Sequence, residues 1–215
     1  MTTTTLFRFA DAAMADGKQR IIDLPLPRAD FGASLAQALR TRQSVREYDS
    51  RPLPLQAVAE VLWCAFGVNR PASGDRTAPS WRHAIEAELY LATTEGVWRY
   101  DAPTHRLVPQ LARDIRAETG GQDFVGIAPV EVIMVASDAK LMAAAGGSAP
   151  TEADKLRAAS VDAGFIGQNI YLYCAAAGLA SVFRGSVDRP KVARLLGLPA
   201  GHMVTFAHTV GYPKK

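Results

Sequence analysis

Arg42, Ser44 and Arg46 alternate within Arg40-Thr41-Arg42-Gln43-Ser44-Val45-Arg46-Glu47-Tyr48, and this stretch holds the residues best suited to chemistry. Val45 is β-branched and Tyr48 aromatic, which favours an extended chain whose side chains two apart lie on one side. Two guanidinium forks with a hydroxyl between them suit a phosphate and a planar, carbonyl-rich ring. The competing reading is a solvated basic helix end, since Arg40 and Arg51 extend the same cluster.

Other chemistries find little support. The chain has no G-x-G-x-x-G, G-x-x-x-x-G-K-[ST], H-E-x-x-H, C-x-x-C or G-x-S-x-G. Its 4 histidines (His83, His105, His202 and His208) lack ligand spacing, so no metal site is expected. Cys64 and Cys174 are the only 2 cysteines and leave room for one disulfide at most. Both fall inside apolar helix patterns, which reads as core.

The elements that must position the arginines follow from periodicity. A short helix is predicted from the N-cap Ser34 to Thr41, directly before Arg42. A second runs from Leu55 to Gly67 on the apolar positions Leu55, Val58, Leu62, Ala65 and Phe66. The period then changes to two: Ala87–Leu91 reads as a half-buried strand, followed by Val97–Tyr100 and Arg106–Pro109 in an antiparallel meander. A helix is expected over Leu111–Thr119, and the apolar run Val130–Ala136 reads as a central strand. The longest helix spans Thr151–Ala177, and Gly164 and Gly167 inside it each cost about 1 kcal/mol relative to alanine. Something must approach that face closely, either another helix or a ligand. Leu179–Arg184 and Met203–Val210 are the last strands, with an Asp188-capped helix between them. Pro25 and Pro27 make residues 1–30 an extended arm. This mixed order with a central meander argues an α+β fold.

With 215 residues, 48% hydrophobic and 21% charged, the chain reads as one domain able to bury a sizeable core. No apolar run approaches the roughly 18 residues that span a bilayer. Met1–Arg20 carries no apolar stretch of signal-peptide length, so a cytoplasmic protein without membrane contact is expected. The net charge of +3 is mild and suits an anionic ligand. Without a basic, aromatic-studded strand, nucleic acid is not expected as a partner.

Arg42-x-Ser44-x-Arg46-x-Tyr48 resembles the R-x-S-x-R/K-x-F/Y signature of the nitroreductase family of FMN-dependent oxidoreductases. Leu62-Trp63, Asn69-Arg70-Pro71, Ala78-Pro79-Ser80, Asp101–Pro109, Asp162–Leu172 and Val210-Gly211-Tyr212-Pro213 stand where such a protein has them. The spacing is most similar to the branch that oxidises azolines during peptide modification. The resemblance covers residues 24–215, leaving 1–23 as an N-terminal arm.

This resemblance implies a nitroreductase-like α+β fold: a mixed, mostly antiparallel sheet flanked by helices, with a long central helix. It implies FMN at a homodimer interface, with NAD(P)H as electron donor. Arg42 would hold the phosphate, and Gln43, Ser44 and Arg46 the ribityl and pyrimidine side. Arg184 and Gly185 end the strand whose turn meets flavin N5, where Arg184 would add positive charge or point to solvent. Pro79, Ser80, Trp81 and His83 occupy the stretch where the family often carries Asn and Gln. Lys214 and Lys215 would assist the phosphate, and Trp81 or Phe124 would cover the ring. No side chain is expected to be catalytic, because the flavin carries the redox step to an acceptor such as a nitro compound or quinone. The alternatives are a dehydrogenase of an azoline-type or peptide-like substrate, and a flavin-binding protein without turnover.

Overall fold

Strand-forming runs in the middle and at the end of the chain assemble into one antiparallel sheet. The computed structural model describes residues 9–15 and 17–215. Its elements begin with helix α1 (Phe9–Ala13), a small hairpin of β1 (Met14–Ala15) and β2 (Lys18–Gln19), and β3 (Ile22–Asp23). Helix α2 (Leu35–Thr41), β4 (Tyr48–Asp49), α3 (Leu55–Phe66) and a hairpin of β5 (Val68–Arg70) and β6 (Asp75–Arg76) follow. The meander is β7 (Ala87–Thr93), β8 (Gly96–Asp101) and β9 (Arg106–Leu111). Then come α4 (Phe124–Ile127), β10 (Val130–Ser137), α5 (Asp138–Ala144), α6 (Glu152–Ala176), β11 (Ala180–Arg184), α7 (Arg189–Leu195) and β12 (His202–Pro213).

The sheet runs β11-β12-β10-β7-β8-β9-β3, with β4 added to the end of β12 through Tyr212 opposite Asp49 and Pro213 opposite Tyr48. All eight residues of β10 are buried, as a central strand requires. Alternate side chains of the meander feed two cores. Leu89, Leu91 and Trp98 join α3 and α6 on one face; Tyr90, Ala92 and Val97 join α7 on the other. Ala87–Leu91 is therefore not the half-buried strand its alternation suggests, because helices cover both faces and Tyr90 is buried like its neighbours.

Caps fix the helices that matter for the site. Ser34 Oγ accepts from the Gln37 amide at 3.2 Å and starts α2, which ends at Arg42. Thr151 and Asp154 form a reciprocal capping box at the start of α6. Asp188 accepts from the Lys191 amide to open α7.

Three local expectations are corrected. Residues 9–23 are not simply extended: Phe9 and Ala13, four apart, are both buried, and Phe9 meets Trp98 edge-on at 5.2 Å. The part of the arm expectation on residues 1–8 and Asp16 lies outside the described residues. No helix forms over Leu111–Thr119, where only Arg116–Glu118 make a single 3-10 turn. Leu111 stays in the ladder opposite Val97, and the Asp114 carboxylate takes the Arg116 amide at 3.0 Å, a local bond that competes with helix. Gly167 meets no second helix. An added Cβ there would fall 2.5 Å from Phe183 of β11, so the close approach lies between α6 and the sheet of one subunit. Gly164, by contrast, faces open space.

Candidate functional site

Helix α2 ends at Arg42 because the chain there turns extended and docks on the sheet edge. The Val45 amide donates to the Ser181 carbonyl at 3.0 Å, and half-buried Val45 packs with Tyr48 and Val182. With Val45 turned inward, Ser44 and Arg46 face out. Arg42 and Ser44 converge on Tyr171 of α6. The Arg42 guanidinium lies 5.2 Å from the ring centre, and Ser44 Oγ is 2.7 Å from the phenol oxygen. That oxygen also accepts from the Phe183 amide at 2.9 Å, which ties the arginine segment to β11.

The C-terminus arrives at the same place. Pairing of Pro213 with Tyr48 carries the chain on to Lys214, whose amide donates to the Glu47 carbonyl at 3.2 Å. Arg42, Arg46, Lys214 and Lys215 thus gather around one sheet edge. Among the described residues no carboxylate lies within ion-pair distance of any of the four. Gln43, exposed beside them, lines a small cleft with Tyr171 and Ser181. Uncompensated guanidinium and ammonium groups beside hydroxyls form a donor set matched to a phosphate.

Gly185 follows directly on the last ladder pair, Arg184 opposite Ala207, and is exposed. Its φ is not positive, so turn geometry does not demand glycine there. A Cβ would make ordinary contact with Phe206 at 3.5 Å, which leaves the outer side of the turn open.

Arg184 does neither thing expected of it. Its side chain is 2% exposed and turns into the protein, where Nη2 meets Glu131 Oε2 at 2.6 Å and Nε donates to Thr209 Oγ1 at 2.8 Å. It also bonds the Thr119 carbonyl and the Ser186 carbonyl, both at 3.3 Å. A guanidinium so fully engaged supplies no donor to a ligand. Burial pushes the Glu131 carboxyl upward and the Arg184 charge opposes this, so the pair is a structural rivet beneath the turn.

A second cluster lies around Pro79-Ser80-Trp81. These residues line a cavity of about 690 Å³ with Arg82, Val161 and Phe165, a size that suits a small-molecule ligand. The strap is strained: Arg82, His83 and Ile85 have φ of 46°, 60° and 49°. His83 does not line the cavity and turns instead to Asp75, with Nδ1 3.2 Å from Oδ1. That pairing gives His83 an anionic partner on β6, so the structure does not bring it to the cavity with Trp81. Phe124 packs against Tyr48 at 5.8 Å, below the arginine segment.

Sequence reasoning missed four residues that organise the site. Tyr171 stood inside a recognised stretch, yet nothing in its spacing marked it as the hub for Arg42 and Ser44. Glu86, directly before β7, and Asp162 of α6 are both buried beside the strap and lie 76 positions apart in the chain. His208 lies fully buried against Tyr171 at 4.7 Å, and burial followed by the Arg184 charge lowers its pKa to about 3.

Comparison with known proteins gives the family and the fold. The profile of the Nitroreductase family matches residues 39–212. The chain belongs to the nitroreductase family. A candidate nitroreductase of Methanocaldococcus jannaschii is 28% identical over 172 residues, covering 75% of this chain and 83% of that one. Among solved structures, a candidate nitroreductase of Ralstonia eutropha superposes with a TM-score of 0.85 at 36% identity, covering 95% and 94% of the two chains. The NADPH:FMN oxidoreductase of Vibrio harveyi, complexed with NAD+, shares the fold (TM-score 0.62, 17% identity, 84% and 69% covered). So does the Escherichia coli microcin synthetase complex (TM-score 0.67, 16% identity, 83% and 73% covered). This nitroreductase-family chain is accordingly an oxidoreductase. Its long α6 and antiparallel sheet match the expected architecture. No helix among the described residues is long and apolar enough to cross a membrane.

Proposed function

We propose that the protein is an FMN-dependent oxidoreductase that takes electrons from NAD(P)H and passes them to a small acceptor such as a nitro compound or quinone. The observation that carries this reading is the uncompensated cationic edge formed by Arg42, Arg46, Lys214 and Lys215 beside Ser44, with Gly185 at the opposite end of β11. FMN, when bound, supplies the two-electron chemistry. Arg42 and the lysines would neutralise a phosphate that carries close to two negative charges. Arg46 would offset the negative charge that the pyrimidine side gains on reduction. Gly185 leaves the outer side of its turn free for the ring edge, and the rivet of Arg184 and Glu131 holds that turn in place.

A homodimer completes this reading. Leu35 and Leu39 on α2 and Leu156, Val161 and Phe165 on α6 are large apolar side chains left exposed, Leu35 at 66%. Such a face is costly in water and is relieved by a second copy. It adjoins the cavity lined by Pro79 and Trp81, so the partner's approach would close that cavity and exclude water. Two free, buried thiols suit a reducing compartment, the cytoplasm.

The test is direct. The purified protein is expected to be yellow and to release FMN on denaturation. Anaerobic NAD(P)H is expected to bleach it, and a quinone or nitroaromatic to restore the colour. A protein that binds no flavin overturns the reading, and one that binds FMN but is never bleached reduces it to a flavin-binding protein.

A further inference from the structure

Glu86 and Asp162 carry no role in the chemistry above, yet both are buried carboxyls, 1% and 3% exposed, and near enough for the Asp162 charge to act on Glu86. Each also grips one of two consecutive residues of the strained strap. Ser80 Oγ donates to Glu86 Oε2 at 2.8 Å, and the Trp81 amide donates to Asp162 Oδ2 at 2.6 Å. Ser80 Oγ closes the loop by accepting from the Ile85 amide at 2.8 Å. The strap thus keeps its positive-φ backbone because two carboxyls hold its start.

Two acceptors so placed need a proton between them. A buried carboxylate beside a second one is repelled, whereas one shared proton turns the contact into a charge-assisted hydrogen bond. We infer that Glu86 and Asp162 are positioning residues that share one proton and clamp the strap of residues 79–85, so that its geometry depends on pH.

Burial first, and the Asp162 charge second, push the Glu86 carboxyl up to about 7, which puts the change in the physiological range. The charged groups on the packed elements are engaged elsewhere. Lys155 of α6 binds Asp138 at 2.5 Å and Glu152 at 2.6 Å. Lys140 of α5 and His202 of β12 face Glu88, at 3.6 and 3.7 Å. Arg82 reaches the Ala145 carbonyl and lies over the Trp81 ring. That leaves the Asp162 carboxyl as the group that acts on Glu86.

The sign follows from linkage. The closed strap holds a proton that an opened, hydrated Glu86 releases near its ordinary value of 4.5. Raising the pH therefore favours opening, about tenfold per pH unit from roughly 5 to 7, and the effect levels off above that. Only the consequence for FMN rests on the flavin reading.

Hydrogen exchange at the Trp81 amide of the flavin-free protein tests the clamp. Its protection factor, already corrected for intrinsic exchange, is expected to fall about tenfold per pH unit between 5 and 7. Glu86→Gln keeps an acceptor for Ser80, donates permanently to Asp162, and is expected to make protection flat. Asp162→Asn removes the neighbouring charge while still accepting from Trp81, and is expected to move the midpoint to lower pH. The second variant decides the matter if the first does not fold. A wild-type protection factor that is flat from pH 5 to 8, or variants that keep the wild-type profile, overturns the inference. FMN titrations at pH 6 and 8 separate it from the flavin reading. Wild-type affinity is expected to weaken at pH 8 and that of Glu86→Gln to hold. Parallel titrations with a pH-dependent amide would leave the clamp standing and remove the strap from the flavin site.

Discussion

Replacing Gly167 by alanine isolates a close helix-to-sheet contact. The new Cβ would fall 2.5 and 2.7 Å from two atoms of the Phe183 ring. That ring cannot simply slide away, because it stacks on Phe206 at 4.7 Å and abuts His208 at 5.9 Å. Overpacking of this kind costs about 1–3 kcal/mol. Alanine also gains about 1 kcal/mol of helix propensity over glycine, which masks part of the loss. Gly164→Ala supplies the control, since it makes the same propensity change on the same helix into open space. The propensity term cancels between the two variants and leaves the packing term. For a chain of this size about 1 kcal/mol moves Tm by roughly 2–4 °C, so Gly167→Ala is expected to melt about 2–12 °C below Gly164→Ala. Circular-dichroism melts at several protein concentrations would read this, with any dimer contribution separated by its concentration dependence. A Gly167→Ala protein that melts as high as Gly164→Ala refutes the packing assignment.

Other outcomes follow from the same contacts. Glu60 is fully buried and accepts from Arg28 Nε at 2.7 Å and from the Tyr173 hydroxyl at 2.9 Å. Burial raises its pKa, but those bonds outweigh burial and leave it at about 2. Its contribution is therefore complete above about pH 4.5 and is lost as pH falls through 2. Glu60→Gln should cost about 1.5–3 kcal/mol at pH 7, by urea denaturation, and the gap to wild type should close toward pH 2. Arg184→Met leaves Glu131 buried without its cation and should cost about 3–5 kcal/mol by the same assay. Gly185→Ala should shift stability by less than about 0.5 kcal/mol, because its Cβ meets only Phe206 at 3.5 Å. Any fall in the rate of flavin reduction in that variant then belongs to the site and not to the fold, and an early melt would contradict this.

Much of the architecture was legible because local signals and tertiary packing agree. Ser34 and Asp188 cap the helices their side chains suggested, and the apolar run around Ile133 became the central strand. Legibility failed where long-range contacts decide. Helical periodicity over Leu111–Thr119 lost to the strand pairing of Leu111 and the local bond between Asp114 and Arg116. Gly167 looked like a helix-packing residue, but its partner is Phe183, a strand residue 16 positions on. In the site, the Arg42 and Ser44 pattern was visible in sequence, whereas Tyr171 and the carboxyl pair of Glu86 and Asp162 were not. Each depends on elements far apart in the chain, and a buried acid has no periodic signature. Arg184 shows the reverse case. A cation at a strand end suggested a ligand contact, and Glu131, 53 residues earlier, claims it instead.

The central claim is that FMN binds along the edge of Arg42, Ser44 and Arg46, with Arg42 holding its phosphate. Equilibrium titration of flavin-free protein with FMN at fixed ionic strength, wild type against Arg42→Ala, tests it most directly. A charge-assisted hydrogen bond contributes about 1.5–3 kcal/mol, so Kd should rise roughly 10- to 100-fold in the variant. Riboflavin, which has no phosphate, should bind both proteins alike. Equal FMN affinity in the two proteins would contradict the placement.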